Sequence, residues 1–355
     1  MALDFIDSCA HSANSGSQIP PSRKWTSYGN VSYSQAQARK AGWSLAVNGS
    51  VSKTLAYKNE RWFGCAYYFP VSSSYASNFM GFSSGGQLVA YITIESDLSL
   101  SIYSGGNNTR IWNSGAAHLY TTADRMHYYE FHCLIGGGTP ITVTCGLSVD
   151  GQLWTSGQAG SCNFNASNLL INSAYMNQIS IGAPTGGSYT GYACDIYCVN
   201  SDTTDINGHA TTLNAFLGDV SIEVTLPITD QTVNWTPSSG SSHFTLVDEI
   251  PPDDDTTYVY SDTTSQNETF TFTQLIGFTG TLLGAQLLIY AKKDAEGSRA
   301  FVGEIGGTIL TNLMGTTNYL YDYYDYFLFP LDTNNGTAWT PANFNSQTFG
   351  AELTV

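Results

Sequence analysis

Charge is scarce in this sequence. Only 11% of its 355 residues are Asp, Glu, Lys or Arg, against roughly 25% in an average soluble domain. Positive charge is scarcest: Lys+Arg number 12 against 28 Asp+Glu, a formal net charge of −16, and no basic residue falls between Arg125 and Lys292. A nucleic-acid binder needs a basic footprint for phosphates, so that class is excluded. Residues 229–355 hold three basic and fifteen acidic side chains. Such a segment repels phosphate-rich partners and suits neutral, cationic or apolar ones.

Long apolar runs are also missing. No stretch approaches the 18 or so residues that a membrane helix needs. The opening MALDFIDSCAHS has neither a basic n-region nor an apolar h-region, so the expectation is no secretory signal and no membrane insertion. The seven cysteines include no CxxC pair, whereas a zinc site wants tighter pairs and histidine. They read as buried free thiols, with Cys133 and Cys145 placed to face each other on paired strands. No G-x-S-x-G nucleophile elbow occurs.

What is abundant is Gly (35), Tyr (23) and Phe (17), together with period-2 alternation that marks antiparallel strands. The clearest runs are 63–70, 87–94, 98–103, 127–135, 141–149, 178–182, 193–199 and 219–226. Helix is expected only as a turn or two around 31–39. Many short strands joined by Gly, Ser and Asn turns imply a β-sandwich or jelly roll. The pattern breaks at 229–257, which is polar and contains the run Pro251-Pro-Asp-Asp-Asp255; it reads as a connector. Strand signals resume at 258–260, 269–273, 282–291, 300–305, 317–329 and 348–355. The expected organisation is thus a sandwich over 1–228, the connector, and a C-terminal β domain over 258–355.

Several constellations bear on chemistry. Glu95 and Asp97 resemble the start of an E-x-D-x-x-E glycosidase strand, but the third carboxylate position is Leu100, so one catalytic partner is missing. The run reads instead as a polar hairpin turn. His127 and His132 are an odd number of residues apart, so one strand places them on opposite faces. Calcium is the candidate cation for acidic loops such as Asp202-Thr-Thr-Asp205 and Asp253-Asp254-Asp255, although consecutive carboxylates point different ways, and no cofactor is expected. Tyr319, Tyr321, Tyr323, Tyr324 and Tyr326 form the densest aromatic run. Such a run serves as core, as a subunit interface or as a platform for sugar rings. Trp43, Trp62, Trp112 and Trp154 are expected in the sandwich core.

The opening Met1–His11 with Lys24-Trp25, the strand Leu98–Gly105, His127-Tyr-Tyr-Glu130 and Val149-Asp-Gly151 form one part of a resemblance. The other part runs through Phe216-Leu-Gly-Asp-Val220, Trp235-Thr-Pro-Ser238, Val247-Asp-Glu and Pro251–Tyr258, then Ala291–Arg299, Pro330, Ala338-Trp-Thr and Phe349-Gly350. Together they resemble a family of tailed-bacteriophage virion proteins. The pattern departs at Met126-His127, where the family has Trp-His. The resemblance implies an all-β chain: a laminin-G/concanavalin-like jelly-roll sandwich followed by a smaller β-sandwich domain. It further implies a non-enzymatic structural or accessory protein of the phage particle, in the head or the tail and of the decoration or cement type, assembled in the bacterial cytoplasm and located on the virion surface. Its partners would be other capsid or tail subunits, with the chain itself a homo-oligomer, for example a trimer. The alternative is a tail adhesin that binds a host-surface glycan, and a third reading is a sandwich-type glycan-degrading enzyme. The resemblance carries over no catalytic residues.

Overall fold

The computed structural model describes residues 2–10, 24–39, 42–69, 77–115, 125–138, 140–162, 175–182, 190–203, 216–294, 298–310, 320–328 and 337–354. Among these, 3–201 with 216–223 pack as one unit, and 224–354 as a second. The chain is nearly all-β.

The first unit contains thirteen strands. The first five are β1 (Ala2–Asp7), β2 (Ser27–Ser34), β3 (Ser44–Lys58), β4 (Glu60–Tyr68) and β5 (Ser77–Ser84). Next come β6 (Gln87–Ile94), β7 (Leu100–Ser104), β8 (Thr109–Asn113), β9 (His127–Gly136) and β10 (Ile141–Val149). β11 (Gln152–Cys162), β12 (Met176–Gly182) and β13 (Gly191–Asn200) complete the set. They form one antiparallel path, β11-β10-β9-β4-β13-β3-β12-β5-β6-β7-β8, with β1 beside β13 and β2 beside β3.

That single sheet becomes two layers at β3. Leu45–Val47 pair with β13, whereas Ser50–Lys58 pair with β12. The sheet therefore folds over its own core, a jelly-roll sandwich. Its far edges meet again, since the Trp112 ring of β8 lies edge-on to Trp154 of β11 at 6.4 Å. Between the layers the inward residues are aromatic: Phe63 meets Phe82 at 6.1 Å, Phe82 meets Phe131 at 5.2 Å and Phe79 meets Tyr129 at 5.0 Å. Each such ring, removed from water, contributes about 1.5–3 kcal/mol. Of the four tryptophans expected in the core, only Trp62 is buried, and it lies on the outer face of β4, not between the layers; Trp43, Trp112 and Trp154 are half-buried. Trp25 is buried as well, its indole N–H donating to Asp7 Oδ2 at 2.8 Å.

Cys133 and Cys145 lie directly opposite each other, as their spacing implied, and both are buried thiols, as are Cys9, Cys65, Cys194 and Cys198. Two sequence expectations are corrected. Residues 27–34 form a strand, not the start of a helical turn, because Val31 and Tyr33 alternate into the core. Residues 219–226 are not a strand: the Ile222 amide donates to Asp195 and the Val220 amide to the Gly218 carbonyl instead of to a neighbouring strand.

The second unit has β14 (Pro227–Val233), β15 (Thr236–Pro237), β16 (Val259–Tyr260), β17 (Asn267–Phe272) and β18 (Ala285–Ala291). It continues with β19 (Ala300–Ile305), β20 (Thr308–Ile309), β21 (Asp322–Leu328), the short helix α1 (Pro341–Asn345) and β22 (Phe349–Thr354). A five-stranded sheet runs β14-β17-β22-β19-β20, and β15-β16 and β18-β21 are separate pairs. Its core gathers Leu287, Phe301, Ile305, Tyr324, Trp339 and Phe349. The stretch 229–257 belongs to this unit: β14 pairs with β17, and Glu268 of β17 fixes the chain beyond it. Glu268 Oε1 lies 2.8 Å from His243 Nδ1, while its Oε2 accepts the backbone N–H groups of Asn234 and Trp235.

In the first unit Arg61, fully buried, is bound to Asp4 and to the Ala56 carbonyl, and Asn200 donates to the other Asp4 oxygen at 2.9 Å. Removing one partner of a buried pair strands the other charge. Asp4→Ala is expected to lower the unfolding free energy by about 3–5 kcal/mol, read from the midpoint of a urea titration at unchanged slope.

Candidate functional site

The tyrosine run and the acidic run, far apart in sequence, meet in the second unit. β18 and β21 pair so that Tyr290 faces Tyr323. The Tyr290 ring stacks on Tyr321 at 4.9 Å and 8° and touches Tyr323 at 4.7 Å. Lys292 Nζ lies 4.6 Å over the outer face of Tyr321 and pairs with Asp255. The Tyr290 hydroxyl donates to Asp254 Oδ1 at 2.7 Å, and the Tyr321 hydroxyl is shared between the Asp254 carbonyl (2.9 Å) and Asp255 Oδ1 (3.0 Å). Lys292, then Tyr321, hold the Asp255 carboxyl below its ordinary range. Burial, reinforced by the hydrogen bond to Asp255, pushes the Tyr321 hydroxyl up.

The remaining expected residues divide. Tyr324 points the other way, buried against Phe301 at 4.9 Å. Tyr319 and the side chain of Tyr326 lie outside the described residues. Asp253 turns from its neighbours to accept from the Thr257 N–H (3.1 Å) and hydroxyl (2.9 Å), so the three aspartates do not converge. The candidate calcium loop at Asp205 falls outside the described residues. Sequence reasoning missed the two most exposed rings of this region. Tyr258 and Tyr260, 37% and 51% exposed, flank Val259 at the start of β16 and approach at 5.9 Å. Tyr258 is pinned by exchanging hydrogen bonds with Ser238, and it lies close enough to Tyr321 to raise that hydroxyl further. Their Tyr-x-Tyr spacing, which puts both on one strand face, was the available signal.

The first unit disposes of the glycosidase motif. Glu95 and Asp97 sit in the turn between β6 and β7, where Glu95 accepts the Tyr103 hydroxyl at 2.7 Å and Asp97 accepts the Ser99 hydroxyl at 2.6 Å. Leu100 is core.

A second polar constellation, not foreseen from sequence, lies on the outer face of β10, β9, β4 and β13. Cross-strand pairing aligns Gly146 and Ser148 with His132 and Glu130, and these with Trp62 and Gly64. The small residues leave a trough, and residues 216–223 lie in it. Phe216 rests against Gly146 and edge-on to His132 at 6.4 Å. His132 stacks on Trp62 at 4.4 Å and lies 2.9 Å from Glu60 Oε1; burial holds it below its ordinary value despite that carboxylate. Glu130 Oε1 accepts from the Tyr197 hydroxyl (2.5 Å) and the N–H groups of Leu217 (2.6 Å) and Gly218 (2.9 Å). Asp195 Oδ1 accepts from the Ile222 N–H at 3.0 Å, and its other oxygen is 3.3 Å from Arg39. Arg39 also reaches Asp219 (2.7 Å) and the Val220 carbonyl (2.9 Å) over the Tyr128 ring. Burial pushes Glu130 up, against these hydrogen bonds, and Asp195 up to about 6. His127 is on the opposite face, 2.8 Å from Asp150, as its spacing required.

No family model and no curated protein matches this chain. It is similar in fold to solved structures. The cellulose-induced protein Cip1 is 13% identical at a TM-score of 0.37, over 51% of this chain and 92% of that one. The endo-β-1,4-glucuronan lyase of the fungus Trichoderma reesei is 12% identical at 0.35, over 56% and 96%. The alginate lyase of Aplysia kurodai is 11% identical at 0.34, over 56% and 100%. The expectation of a phage decoration or cement protein is corrected here: these structures of similar fold are named for polysaccharide chemistry, and none of them is a virion protein. At such identities the likeness is one of fold, so function has to be read from this chain's own residues.

Gly64 is the tightest point of the trough: a Cβ there would stand 2.2 Å from the Tyr197 ring. Gly64→Ala is expected to push Tyr197 off Glu130 and to cost about 1–3 kcal/mol, measured by chemical denaturation, with a loss of amide protection at Leu217 and Gly218.

Proposed function

We propose that this protein binds carbohydrate without cleaving it, through the tyrosine face of its second unit. The observation that carries this reading is the exposed pair Tyr258 and Tyr260 near the anchored Asp254 and Asp255. Aromatic faces accept the C–H side of a sugar ring, and oriented carboxylates accept its hydroxyl groups. Side chains already fixed by Tyr290, Tyr321 and Lys292 lose little freedom on binding. The net charge of −12 over residues 229–355 (three basic, fifteen acidic) favours neutral or amino sugars over polyuronates. Non-catalytic action is supported by the turn position of Glu95 and Asp97 and the core position of Leu100, which leave that motif without a facing carboxylate pair.

The test is a glycan array probed with the full chain, followed by titration of the best neutral or amino-sugar oligosaccharide. Tyr258→Ala/Tyr260→Ala is expected to weaken binding by about 10-fold or more, equivalent to about 1.4 kcal/mol, while the thermal midpoint stays unchanged. An array with no signal above background, or binding indifferent to the double variant, overturns the reading.

A further inference from the structure

Residues 216–223 are held on the sheet of the first unit by side chains, not by strand pairing. None of their side chains is fully buried, whereas Glu130, Asp195 and Tyr197 beneath them are within 2% of it. Their backbone makes no ladder with a strand. The amides of Leu217, Gly218 and Ile222 donate to carboxylate side chains, and the Val220 carbonyl accepts from Arg39. A segment held this way can leave without breaking a strand pair.

We propose that residues 216–223 are a releasable strap, latched by Glu130 and Asp195, whose opening uncovers His132, Tyr128 and Tyr197 as an aromatic and acidic surface on the first unit. The latch responds to protons because closing the strap takes water from both carboxylates. Glu130 faces the Tyr197 and Tyr128 hydroxyl groups and Ser148 across the ladder. Asp195 faces Arg39, which favours its charge, and Asp219, Glu223 and Cys194, which oppose it. Burial outweighs these, so with the strap closed Asp195 stands at about 6 against an ordinary 3.8. With the strap open it returns to water and to the ordinary value. A carboxyl whose value is raised in the closed form stabilises that form below the ordinary value, and the contribution is lost as pH rises through about 6. Glu130 acts in the same direction.

The experiment is hydrogen exchange of the full chain from about pH 4.5 to about pH 8, corrected for intrinsic rates. The Asp195 shift alone implies that protection of the Leu217, Gly218 and Ile222 amides falls roughly 30-fold across that range, while β4, β9 and β13 keep theirs. Asp195→Asn and Glu130→Gln are expected to flatten the profile. A flat profile in the unsubstituted protein overturns the proposal, and so does a fall shared equally by β4, β9 and β13, which would mean that the unit opens as a whole. The unsubstituted profile decides the matter even if a variant does not fold. The readout is independent of carbohydrate binding in the second unit.

Discussion

A strand that changes partners halfway along its length governs the first unit. β3 gives its first residues to β13 and its later ones to β12, and this turns one sheet into two facing layers. Once the layers face each other, the rings of β4 and β9 meet those of β5 across the core. The same closure makes β4, β9 and β13 central strands. Their inner face is filled by aromatic side chains, and their outer face carries Trp62, Glu130 and Tyr197, which then need a cover. The segment 216–223 supplies it.

Irregular chain in both units is organised by the few acids that are buried. Glu130 collects two backbone amides and a tyrosine hydroxyl in the first unit. Glu268 collects two backbone amides and His243 in the second, and Asp230 accepts the His243 and Phe244 amides. A buried carboxylate is costly unless its oxygens are satisfied, so each such acid fixes the path of the chain that satisfies it. In a protein with so little charge, these acids do for loops what the ladders do for strands. The exposed acids act differently: Asp254 and Asp255 are ordered by tyrosine hydroxyl groups and one lysine and remain open to solvent on one side.

Much of the strand set was legible in the sequence. Alternation located β6 and β10 over their full lengths, and β17, β19 and β22 to within a few residues. Ser44–Lys58 is not among the runs that alternation marks, because its later residues are partly exposed and its pairing is set by neighbours on both sides. The run DVSIEVTL alternates well yet forms no ladder: Glu130 takes the amides of Leu217 and Gly218 just before it, and Asp195 takes that of Ile222 within it.

The sequence alone determined an all-β chain, its buried thiols, its acidic second half and the presence of a tyrosine run and an aspartate run, since these follow from composition and short-range periodicity. The tertiary structure decided that the two runs form one surface, that Tyr258 and Tyr260 are its exposed rings, and that a trough under residues 216–223 holds Glu130 and Asp195. The physical reason is range. Alternation reports which face of a strand is buried, but hydroxyl, guanidinium and carboxylate partners more than sixty residues apart are chosen only when the sheets close.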